Sequence, residues 1–131
     1  MLLVVAHPRD EGAHFLTDAL RSRGARLMVP RDLSIAGWRH YSGGSGEEWA
    51  VVSGERVHAR DIRGAVVRLP LVRDRDLPHI DVCDREYAAA EMNSFLIAWL
   101  TGLSCPVLNR PTAASLLGPD FSHERWLLIC A

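Results

Sequence analysis

Leu2-Leu-Val-Val-Ala6, His7-Pro-Arg-Asp10-Glu-Gly-Ala-His-Phe-Leu-Thr-Asp-Ala-Leu20-Arg-Ser-Arg-Gly24 and Ala25-Arg-Leu-Met-Val-Pro30 decide the fold class. The first run is short, apolar and rich in Val, as a strand buried on both faces requires. From Asp10 to Arg23 the period changes: Phe15, Leu16, Ala19 and Leu20 share one helical face, and Gly24 stands at the C-cap position. Ala25 to Val29 returns to strand character and is stopped by Pro30. Strand, helix and strand at this spacing make a βαβ unit, which predicts an α/β fold with parallel pairing.

Beyond that unit, Tyr41-Ser-Gly-Gly-Ser-Gly46 reads as a loop or turn. Trp49-Ala-Val-Val, Ser-Gly and Glu55-Arg-Val-His form a hairpin with a two-residue turn. Ala65 to Leu69 is a strand closed by Pro70, and Leu71 to His79 an exposed loop bracketed by prolines. Asp81 to Leu103 is the longest helix, its stripe traced by Tyr87, Ala90, Glu91, Ser94, Phe95, Ala98 and Trp99. Pro106 to Asn109 is a short strand and Pro111 to Leu117 a helical turn. A last helix starts at Ser122, an N-cap residue, places Trp126, Leu127 and Cys130 on one face, and meets no stop signal; it reads as the start of a longer architecture. The expectation is a three-layer, Rossmann-like domain over 1–121 with a small, mostly parallel sheet and a β-hairpin extension.

Composition removes several function classes. A chain of 131 residues, 48% hydrophobic, is one globular domain. Its net charge of −1 gives no electrostatic case for nucleic acid or an anionic membrane. All 15 basic residues are arginine, so Schiff-base or P-loop lysine chemistry is excluded within this chain. Cys83, Cys105 and Cys130 are odd in number and widely spaced, which reads as reduced thiols serving as small core residues. With no spanning-length apolar run and no charged signal region before the first strand, a soluble cytoplasmic protein is expected.

Candidate residues fall into two groups. His7, Asp10 and Glu11 follow the first strand, where open α/β sheets place ligands. His7-Pro-Arg-Asp-Glu11 is similar to the His-Pro-Asp-Asp-Glu run of zinc-dependent sugar deacetylases, but Arg9 replaces the general base and no second metal-ligand segment follows. It also resembles the Ala-His-Pro start of flavodoxin-like quinone reductases, without their remaining flavin loops. The favoured reading is a strand-end turn with two carboxylates at a helix N-terminus, and no metal site. In the second group, Arg68 can take a carboxylate or phosphate bidentately or form a structural salt bridge. Glu91, on an apolar stripe, should be partnered. Asn109 can hold a turn or a ligand, and Arg110 adjoins it. Trp99 and Trp126 read as core with an indole N–H reaching a partner, whereas Trp38 and Trp49 read as a partner surface or a sheet-edge cover.

Order and spacing of Asp61-Ile-Arg-Gly-Ala-Val-Val-Arg68-Leu-Pro70, the helix with Glu91, Val107-Leu-Asn109-Arg-Pro111 and the helix from Ser122 resemble the N-terminal domain of ATP-grasp enzymes. The RimK-like, peptide-maturase branch is the nearest. His123 stands where that family usually has lysine. The resemblance implies Arg68, Asn109, Arg110 and Glu91 as substrate-side residues and a peptide or small carboxylate as substrate. It implies ATP and Mg²⁺ for a full-length parent that activates a carboxylate as an acylphosphate for attack by an amine. The domain itself is expected to be non-catalytic, to hold no cofactor, and to bind substrate, associate with partners or form a homodimer. A small flavodoxin-like oxidoreductase and a non-catalytic interaction module are the alternatives.

Overall fold

A computed structural model describes residues 1–41, 46–119 and 125. Among the described residues, six strands and two α-helices run in the order β1 (Leu2–Val5), α1 (Glu11–Ala19), β2 (Ala25–Met28), β3 (Trp49–Val52), β4 (Glu55–His58), β5 (Gly64–Val67), α2 (Arg85–Gly102) and β6 (Val107–Leu108). β2, β1, β5 and β6 lie side by side in that order as a parallel sheet, while β3 and β4 pair antiparallel as a separate hairpin. The expected α/β architecture is the one observed. The expected Gly/Ser loop falls largely on 42–45 and the expected terminal helix on 122–131; apart from Arg125, these residues lie outside the described ones.

Side-chain alternation along β1 splits the core into two layers. Leu3 and Val5 join Ala65, Val67, Leu96, Trp99, Leu100 and the hairpin's Ala50 and Val52 on one face. Val4 and Ala6 meet Ala13 of α1 on the other, with Leu16 and Leu27 packed against them. The sheet is thus the middle of three layers.

Several local expectations are corrected. Phe15 is 78% exposed, because α1 turns Ala13, Leu16, Thr17 and Leu20 toward the sheet and leaves Phe15 and Ala19 outside. The helix also ends at Ala19; Arg21–Arg23 form a 3₁₀ turn that closes on Gly24 at φ 73°. The stripe read on α2 is largely the outer one: Tyr87, Ala90, Glu91, Ser94 and Ala98 are exposed, and Ala89, Leu96, Trp99 and Leu100 are buried. Alanine and aliphatic residues occur all round this helix, so periodicity alone does not select a face. The helix starts at Arg85 rather than Asp81, because Asp81 closes a turn of its own by accepting Cys83 N–H.

Leu71 to His79 is not simply an exposed loop. Val72 and Leu77 are buried anchors, and the Asn93 amide accepts from Val72 N–H and donates to Val72 C=O. Residues 111–117 form no helical turn; Thr112 and Ser115 exchange backbone hydrogen bonds and Leu116 enters the core. Of the cysteines described, Cys83 is exposed and only Cys105 is partly buried, its thiol pushed up by that burial. Trp99 is 1% exposed, yet its Nε1 has no hydrogen-bond partner among the described residues. It stands edge-to-face with Trp38, ring centroids 5.1 Å apart. Trp38 belongs to the same cluster, contacting Phe95 and donating from Nε1 to Asp32 C=O, so it is not a partner surface. Trp49 stacks on His58 at 3.5 Å beneath the Arg56 guanidinium.

Asp32, 3% exposed, joins the hairpin to the sheet. Its carboxylate accepts from Val29 N–H at the end of β2 and from Gly54 N–H in the β3–β4 turn, both at 2.9 Å. Asp32→Ala strands both donors and should cost about 2–4 kcal/mol, whereas Phe15→Ser should change stability by under about 0.5 kcal/mol. Urea denaturation of the two variants measures both; a large loss from Phe15→Ser would show that α1 is turned the other way.

Candidate functional site

The carboxyl ends of β1, β5 and β6 bring His7, Asp10, Arg68 and Asn109 to one edge of the sheet. This is where a parallel sheet presents side chains from separate loops. Two bonds fix the junction: Arg68 N–H and Leu69 N–H both donate to Val5 C=O. Beyond it the Arg68 guanidinium grips Asp10 bidentately, Nε to Oδ2 at 2.9 Å and Nη2 to Oδ1 at 3.0 Å. Asp10 is also the N-cap of α1, accepting from Ala13 N–H. Gly12 leaves room for the pair, since a Cβ there would lie 3.0 Å from Arg68 Nη2.

Electrostatics follow from this geometry. The Arg68 hydrogen bond is the main cause holding the Asp10 carboxyl below the usual carboxylate range, and the same contact raises Arg68. With the Arg68 side chain 43% exposed and Asp10 20%, solvent screening keeps the pair's contribution to about 1 kcal/mol or less. Arg68 therefore forms the salt bridge that was one of its two readings, with Asp10 as its carboxylate.

His7 is engaged on both nitrogens. Arg9 N–H donates to Nδ1, so the ring proton sits on Nε2 and is given to Asp76 Oδ1 at 3.0 Å. Asp76 also accepts from Arg73 N–H, which ties the turn after β1 to the loop after β5. Neither ring nitrogen is left for a metal. Among the described residues no three His, Cys, Asp or Glu are grouped to hold a metal ion.

Asn109 adopts φ 56° and donates from Nδ2 to Val67 C=O at 2.9 Å, tying the end of β6 to the end of β5. Arg110 points away from this edge: its guanidinium donates to the carbonyls of Thr101, Leu103 and Cys105, which complements the C-terminal end of α2. Glu91 is exposed on the outer face of α2 and has no hydrogen-bond or ion-pair partner among the described residues, against the expectation that it is partnered. Glu11 is the exposed first residue of α1. The edge thus gathers His7, Asp10, Arg68 and Asn109, and leaves Glu91 and Arg110 outside. Sequence reading missed Asp76 because a 3₁₀ turn at Asp74–Asp76, not a strand end, carries it to His7.

No protein-family model matches the chain, and no curated protein does. Solved structures do. A macrocyclase, MdnC of Microcystis aeruginosa MRC, solved with its precursor peptide MdnA, superposes with TM-score 0.59 at 18% identity, over 82% of this chain and 36% of that one. A RiPP-associated ATP-grasp ligase of Chryseobacterium gregarium, solved with ADP and a leader and core peptide, gives TM-score 0.54 at 14% identity, over 84% and 35%. The fold is shared with these proteins. This chain spans about a third of the length of each. The resemblance read from the sequence is met at the level of the fold.

Two predictions follow from the edge. Asparagine at position 10 keeps the cap but loses the charge, so Asp10→Asn should cost at most about 1 kcal/mol at neutral pH. Because the folded pKa of Asp10 is depressed, its contribution is complete above the ordinary carboxylate value of about 4 and is lost as pH falls through the lower folded value. Denaturant melts at pH 7 and pH 3 should show the gap between wild type and Asp10→Asn closing in acid; a constant gap would contradict the pairing. At position 109, both Gly and Ala lose the bond to Val67, but only Ala adds left-handed backbone strain. Asn109→Ala should therefore be about 1–2 kcal/mol worse than Asn109→Gly in the same assay.

Proposed function

We propose that this chain is the N-terminal, substrate-side domain of an ATP-grasp carboxylate–amine ligase-like protein of the peptide-maturase, RimK-like branch. The likeness to the macrocyclase over 82% of the chain supports the reading. The order of strand-end Arg68, long helix and Asn109 at one edge agrees with it.

On this reading the substrate is a peptide or small carboxylate, as both solved neighbours hold peptides. The edge carrying Arg68, Asn109, His7 and Asp10 faces it. Asp10 holds Arg68 through Nε and Nη2, so a substrate oxygen approaching the guanidinium meets Nη1 first. The domain orients substrate and does not carry out the phosphoryl chemistry. ATP and Mg²⁺ are bound by nucleotide lobes outside this fold, in a cytoplasmic protein that has access to ATP. No helix among the described residues is long and apolar enough to cross a membrane.

Sequencing the gene and its neighbours tests the proposal. The expected result is a pair of ATP-grasp nucleotide-binding lobes, continuous with these residues or encoded beside them. Their absence from both places would overturn it. A flavin titration gives an independent check: yellow, stoichiometric binding of a flavin nucleotide would replace the ligase reading with an oxidoreductase.

A further inference from the structure

We draw no further inference here: the strongest candidate, the open cleft of ≈ 850 Å³ between the β3–β4 hairpin and the C-terminal end of α2, lined in part by His40, Glu48, His58 and Arg60, carries nothing because none of the described residues that line it selects one ligand chemistry.

Discussion

Parallel pairing of β1 with β5 is the constraint on which the rest of the molecule depends. Leu2 to Val5 align with Gly64 to Val67, residues separated by roughly half the chain, so the closure carries a large entropic cost with no local turn to offset it. Burial supplies the compensation. Leu3, Val5, Ala65 and Val67 enter the main core together, and Val4 and Ala6 enter the smaller one. The pairing also carries Arg68 to Asp10 across a separation of 58 positions, so the edge chemistry is a by-product of the closure that makes the sheet. Slipping β5 by one residue would turn Ala65 and Val67 away from the core and Arg68 toward it. Register and site therefore stand or fall together.

Secondary ties make this closure specific. The Asp32 carboxylate anchors the hairpin to the end of β2, and Arg26 reinforces it by reaching Val52 C=O and Glu55. Asn93 fixes Val72, and His7 fixes Asp76, so the loop after β5 is tied at two points to elements on either side. These contacts join residues distant in sequence through side chain to backbone or carboxylate bonds, and hydropathy patterns do not register them. In the sequence Asp32 merely stands two residues after Pro30, where the strand pattern ends. Only the folded chain shows that two backbone donors depend on it.

What was legible follows the same logic. β1, β3 and β5 are legible because short Val-rich runs admit few other readings, and the hairpin expected over 49–58 matches β3 and β4 residue for residue. The face of α2 was misread because Ala88 to Ala90 and Phe95 to Ala98 offer apolar surface in every direction. Tertiary packing, not period, chose Ala89, Leu96 and Leu100. Phe15 misled for the opposite reason: one large aromatic outweighed Ala13, although the small residue is what lets α1 approach Val4 and Ala6 closely. At the edge, strand-end position located His7, Asp10, Arg68 and Asn109 from sequence. Pairing among them was beyond reach, since it depends on the β1–β5 register.

Chemistry at that edge has a consistent character. Arg68 has a carboxylate on one side, His7 has both nitrogens occupied, and Asn109 is spent on Val67. Groups bonded in this way are held in place. Phosphoryl transfer is catalysed almost entirely by positioning and by concentrated positive charge. Here the concentrated charge is offset within the site, because Asp10 cancels Arg68, and no lysine supplements it. A rigid, internally neutralised edge suits a surface that orients a substrate for chemistry performed by other groups. That division of labour is what the proposed substrate-side role requires.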